Sequence, residues 1–177
     1  MPPAAPTNPA LRLYLIRHGK AERNSATGED EDRKLKPRGE RQAKYVADRL
    51  SKEKKALALL VHSPVLRAAH TAKLICAALK CKRSEDEALS VGEPARGILA
   101  VIDKHRGAGS GAGVLAIVGH NPTLEVVAAA LAPKHFKSQG VNLRTGEVLI
   151  IDLSADKGAG EGSLVGRWRL EEPEDDD

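Results

Sequence analysis

The stretch LYLIRHGKAERN, Leu13 to Asn24, decides how this chain is read. The largely apolar segment LRLYLI, residues 11–16, has the composition of a buried strand. It runs directly into Arg17, His18 and Gly19. A strand that seeks burial thus ends on two side chains that resist it. The conflict disappears if the strand carries them to an anion, and phosphate is the anion that arginine and histidine together suit best.

Two further strands end in the same way. ALALLVH, residues 56–62, stops at Ser63-Pro64 and opens a helix that carries Arg67 and runs to about Lys80. VLAIVG, residues 114–119, stops at His120. NPTLEVVAAALA, residues 121–132, then reads as a helix with Asn121 as cap and Pro122 in its first position. Residues 38–53 place Ala43, Val46, Ala47 and Leu50 at helical spacing. A short strand near Ala88–Leu89 and a helix near Ala95–His105 complete the middle of the chain. GVNLRTGEVLIIDL predicts two strands around the turn Arg144-Thr145-Gly146, and SLVGRWRL predicts a last strand. The Gly-rich stretches at 106–113 and 157–162 read as connections.

Continuously apolar strands alternating with helices predict an α/β fold, a three-layer α/β/α arrangement around a mostly parallel sheet, with antiparallel additions near the C-terminus. In such sheets the ligand crevice lies beyond the carboxyl ends of the strands. Arg17-His18, Ser63 with Arg67, and His120 should therefore emerge at one edge.

The 177 residues suit a single domain, expected over residues 11–170, with a disordered leader at 1–10 and an acidic disordered tail at 171–177. Hydrophobic residues make up 41% of the chain, enough for a packed core, while aromatics supply only 2%. The net charge of +4 conceals a split, because six of the 24 acids lie in EEPEDDD. Setting those aside leaves 28 basic against 18 acidic residues, a body of +10 that favours anionic substrates. Stacking aromatics and recognition modules for nucleic acid are missing, so no nucleic-acid partner is expected. No apolar run approaches the roughly 18 to 20 residues of a membrane span. The N-terminus lacks the features of a secretory signal. Cys76 and Cys81 match neither a metal spacing nor a disulfide framework. These features together favour the cytoplasm, and a monomer is expected.

The chemistry follows from the residue types. Neutral imidazole is a nucleophile toward phosphorus. Two arginines can grip the equatorial oxygens of a phosphoryl group in transfer, and a second histidine can donate to them. Arg17, His18, Arg67 and His120 make up that set. The motifs RHG, SPVLRAAHTA and GHNP, each at a strand end and in this order, resemble the histidine phosphatase superfamily, which includes the phosphoglycerate mutases. The resemblance covers residues 11–153. It implies a phosphoglycerate mutase-like fold, His18 as phosphoacceptor, and Arg17, Arg67 and His120 as the phosphate pocket. Asn24 matches a further phosphate contact in part of the family. Within the superfamily the chain is most similar to the SixA-type phosphohistidine phosphatases, through its compactness and through DRKLKPRGERQA, residues 32–43.

The chain departs from the mutases and many phosphomonoesterases in one place. Their acid after the second motif falls on Val91 in ALSVGEP, and Glu93 is the nearest candidate to replace it. An alkoxide needs a proton to leave, whereas the imidazole of phosphohistidine leaves more easily. The departure therefore points to a phosphohistidine-bearing protein as substrate. Small-molecule phosphomonoesters, or a non-catalytic phosphate- or phosphopeptide-binding module, remain the alternatives. No metal-ligand motif occurs, and no metal or cofactor is expected. GAGSGA at 107–112 matches a dinucleotide fingerprint formally, but it precedes a strand where the fingerprint must follow one.

Overall fold

The computed structural model describes residues 10–106, 113–137, 140–154 and 161–171. The expected leader and tail lie outside these residues except for Ala10 and Glu171, as do most of both Gly-rich connections.

Six strands form one sheet: β1 (Leu11–Arg17), β2 (Leu59–His62), β3 (Lys82–Glu85), β4 (Gly113–Gly119), β5 (Val148–Leu153) and β6 (Ser163–Trp168). Their spatial order is β3-β2-β4-β1-β5-β6. The pairs β1–β4, β2–β4 and β2–β3 are parallel, while β5 runs antiparallel to both β1 and β6. The mostly parallel sheet with antiparallel C-terminal additions is the architecture expected.

Alternation along β1 shows why both faces must be covered. Leu11, Leu13 and Leu15 join one cluster with Leu115, Ile117, Leu149 and Ile151. Tyr14 and Ile16 join the other with Ala116, Val118, Val148 and Ile150. The first cluster is closed by α3 (Ala95–Arg106), through Ile98 and Ile102, and by α4 (Thr123–Leu131), through Leu124, Val127 and Leu131. The second is closed by α1 (Pro37–Ser51), through Ala43, Val46 and Leu50, and by α2 (Leu66–Leu79), through Ala68, Ala72 and Ile75. Burial of aliphatic side chains on both sides supplies the main drive for the three layers. A short helix, α5 (Pro133–Phe136), follows α4. Across the β1–β5 pair, Arg12 donates from Nε and Nη2 to the two oxygens of Asp152, each at 2.8 Å. No helix among the described residues is long and apolar enough to cross a membrane.

Four local expectations fail, each for a physical reason. The strand beside β2 is KRSE, Lys82–Glu85, and Glu87–Leu89 forms a 3-10 turn. All four residues of β3 are exposed, so this charged edge strand carries no apolar signature to read. Residues 140–147 form a loop and turn, and a single strand follows at Val148. Asn121 does not cap α4; its Nδ2 donates to Glu125 and to the Leu143 carbonyl, and Pro122 occupies the cap after a cis peptide bond. Finally, Cys76 and Cys81 are joined in a disulfide, with their Cα atoms 4.9 Å apart. Lys80 ends α2 in a left-handed conformation, φ 55°, which turns the chain back and brings Cys81 to the helix end. The cysteines therefore no longer support the expected cytoplasmic location.

Candidate active site

The parallel strands end together. Arg17 is in register with Gly119, the His18 N–H donates to the Gly119 carbonyl at 3.2 Å, and the Ser63 N–H donates to Val118 at 3.1 Å. Residues following β1, β2 and β4 are thus fastened side by side. Arg67, one residue into α2, reaches the same point.

His18 lies at the bottom, 7% exposed. Its Nδ1 lies 2.8 Å from the Gly19 carbonyl oxygen, so Nδ1 carries the proton and Nε2 keeps its lone pair. Arg67 Nε donates to that lone pair at 3.3 Å. The His120 ring stands 5.0 Å from the His18 ring. His120 Nε2 lies 2.8 Å from Ser63 Oγ, which already accepts from the Val65 N–H. Giving the Ser63 hydroxyl proton an acceptor puts it on His120 Nε2 and leaves the ring proton on Nδ1. That Nδ1 is buried without a partner, and so is Arg17 Nε, while Arg17 Nη1 holds the Leu143 carbonyl at 2.9 Å. Buried polar atoms are rarely left this way. Both belong to residues bordering His18.

Burial pushes the His18 imidazolium down to about 3, helped by the positive charges of Arg67 and Arg17. Burial and then Arg67 push His120 down to about 4. Burial also lowers both guanidinium groups, which remain charged. The unfolded chain binds protons near pH 6.5 that the folded site refuses, so stability falls as pH drops from 6.5 toward 4. The slope is about 1.4 kcal/mol per pH unit for each histidine. By proton NMR, two of the six imidazoles should show no titration between pH 8 and 5. Midpoints near 6.5 for all six would contradict a buried neutral pair.

The turn Arg144–Glu147 secures the strand end from below, with the Gly146 N–H donating to the Arg17 and His18 carbonyls at 3.0 Å. Thr71 Oγ1 accepts from the Gly19 N–H at 3.1 Å. Gly19 and Gly39 meet backbone to backbone: a Cβ on Gly39 would lie 2.2 Å from the Lys20 carbonyl oxygen, and one on Gly19 would lie 2.5 Å from that of Gly39.

The family model of the histidine phosphatase superfamily, branch 1, matches residues 13–91. An uncharacterized protein of Picosynechococcus sp. is 33% identical over 144 residues, which span 81% of this chain and 84% of that one. The chain belongs to the histidine phosphatase superfamily. The structure of the protein histidine phosphatase SixA complexed with tungstate superposes with a TM-score of 0.76 at 20% identity, covering 88% of this chain and 95% of that one. An Agrobacterium tumefaciens structure assigned as a SixA phosphohistidine phosphatase gives 0.74 at 21% identity, covering 90% and 97%. A Plasmodium falciparum phosphoglycerate mutase gives 0.62 at 19% identity, covering 88% and 89%. The phosphoglycerate mutase-like fold is therefore shared.

Of the residues singled out in the sequence, this superfamily member gathers Arg17, His18, Arg67 and His120. It does not gather the other two. Asn24 is exposed, and no hydrogen bond joins it to the cluster. Glu93 is exposed, its main-chain carbonyl accepting from Thr123 Oγ1, and no hydrogen bond links its carboxylate to the four. His62 is buried, with Nδ1 held by the Ser63 carbonyl.

The carboxylate that does reach the cluster is Asp30, on a 3-10 turn, Asp30–Asp32. Arg67 Nη2 donates to its Oδ2 at 2.9 Å and Arg67 Nη1 to its main-chain carbonyl at 2.8 Å. Arg33 Nε lies 2.8 Å from Oδ1. Burial raises the Asp30 carboxyl, but the hydrogen bond and charge of Arg67, with Arg33, outweigh it and hold the group below its ordinary value. Asp30 lies in no periodic segment, so only the tertiary contact reveals it.

Proposed function

We propose that this protein hydrolyses phosphohistidine, borne on a phosphotransfer protein, through a phosphorylated intermediate on His18 and without a metal ion. The observation that carries the reading is the His18 ring itself: Nδ1 held by Gly19, Nε2 unprotonated and facing Arg67. In the first step His18 Nε2 bonds to phosphorus, the bond to the substrate imidazole breaks, and its electron pair leaves with that ring. Arg67, Arg17 and the His120 Nδ1–H grip the equatorial oxygens as their charge develops. In the second step water attacks phosphorus on the far side of His18, releasing phosphate and restoring the imidazole.

The phosphohistidine preference is supported by Glu93, which is exposed and whose carboxylate makes no hydrogen bond to the cluster, and by the likeness to protein histidine phosphatase SixA. That relative is complexed with tungstate, a tetrahedral oxyanion. The test is turnover, in the presence of a chelator, of a phosphohistidine-bearing phosphotransfer protein beside 4-nitrophenyl phosphate, with rapid quenching to look for acid-labile phosphate on the His18 peptide. Preference for the protein substrate and label on His18 are expected. Faster turnover of the ester would reassign the protein to the phosphomonoesterases. Neither turnover nor label would make it a binding module.

A further inference from the structure

We infer that Asp30 determines the choice of leaving group, favouring a protonated imidazole over an ester oxygen, by holding its carboxylate beside the phosphoryl site on the outward side of Arg67. The inference rests on the phosphohistidine reading above and names the residue that would enforce it.

The geometry has two parts. His18 is at the bottom of the site, 7% exposed, so an in-line displacement puts the leaving group on the opposite, outward side. Arg67 spans the two levels: its Nε–H faces His18 Nε2, while Nη1 and Nη2 grip Asp30. The guanidinium side chain is 4% exposed and the Asp30 side chain 57%, which makes Asp30 the outer of the two. Nη2 carries two hydrogens, so a phosphoryl oxygen can share it with Asp30 without displacing the carboxylate. A carboxylate also has lone pairs to spare after its contacts with Arg67 and Arg33. Among the described residues no other carboxylate is hydrogen-bonded to Arg17, His18, Arg67 or His120.

The chemistry then separates two kinds of leaving group. When phosphohistidine reacts in its protonated form, the ring nitrogen that does not bear phosphorus carries a proton and positive charge. Asp30 accepts a hydrogen bond from that N–H, and the P–N electron pair neutralises the ring as it departs. The proton stays on the ring and Asp30 remains a carboxylate throughout. An ester oxygen instead gathers negative charge as its bond to phosphorus breaks, and the same carboxylate repels it.

The experiment compares kcat/KM on a phosphohistidine protein with kcat/KM on 4-nitrophenyl phosphate for wild type, Asp30→Asn and Asp30→Glu. The ratio of the two should fall about 10- to 100-fold in Asp30→Asn, the worth of one charge-assisted hydrogen bond. Asp30→Glu, which keeps the charge, should retain most of it. An unchanged ratio in Asp30→Asn overturns the inference, whichever way the individual rates move. Loss of both activities to background would limit Asp30 to holding Arg67 and overturn it equally. The wild-type ratio tests the phosphohistidine reading separately: a wild type that prefers the ester sinks that reading, whereas a wild-type preference kept in Asp30→Asn sinks only the role of Asp30.

Discussion

Replacement of His18 by alanine is expected to lower turnover of every phosphorylated substrate by at least about 10⁴-fold, the scale on which removing a covalent nucleophile is felt. The fold should survive, because the ring's hydrogen bonds run to the neighbouring Gly19 carbonyl and from Arg67, and neither joins two strands of the sheet. The same variant should be less sensitive to acid. A buried imidazole pushed down to about 3 costs stability below pH 6.5, and alanine carries no such cost. Denaturant melts of wild type and His18→Ala at pH 7.5 and pH 5 test both statements at once. The gap between the two should shift in favour of the variant at pH 5. Residual turnover within about tenfold of wild type would remove His18 from the chemistry altogether.

The second large effect is expected in the backbone packed behind His18. Gly39→Ala sets a methyl group 2.2 Å from the Lys20 carbonyl oxygen. Alanine is the better helix former by up to about 1 kcal/mol, an advantage that is largest in a helix interior. Gly39 is the third residue of α1, and the obstructing atom is backbone, which no rotamer change can move aside. The clash therefore wins, at about 1–3 kcal/mol, which lowers the melting temperature of a chain this size by several degrees. Relief requires the segment from Gly19 to Ala21 to move outward. Gly19 supplies the carbonyl that fixes the His18 tautomer, so the displacement reaches the His18 ring. A shift of about 1 Å there should cost about 100-fold in kcat. A Gly39→Ala protein with wild-type kcat and melting temperature would show that the two backbones can part without consequence.

The sequence was legible where residues report their own surroundings. The strands at Leu11, Leu59 and Gly113 announce themselves because both faces of a covered sheet demand aliphatic side chains. Arg17, His18, Arg67 and His120 were legible because topology alone puts the ends of parallel strands at one edge. β3 was not, since an edge strand made of Lys82, Arg83, Ser84 and Glu85 looks like loop. The disulfide was hidden by a single left-handed residue, Lys80, that no pattern marks. Asn121 looked like a cap because its side chain suits that role, yet its amide nitrogen is taken by Glu125 and by the Leu143 carbonyl. Asp30 and Gly39 escaped for a shared reason. Each matters through one contact with a residue distant in sequence, Arg67 or Lys20, and spacing along the chain carries no trace of it.

The place of β1 within the sheet has a consequence for how the protein fails. This strand is hydrogen-bonded along its length to β4 on one side and to β5 on the other, and its side chains feed both hydrophobic clusters. Backbone amides so enclosed exchange with solvent only when the whole domain opens. His18 follows this strand without a hinge, its own N–H already tied to Gly119. The geometry of His18 therefore has no private unfolding route: it persists until the global transition and vanishes with it.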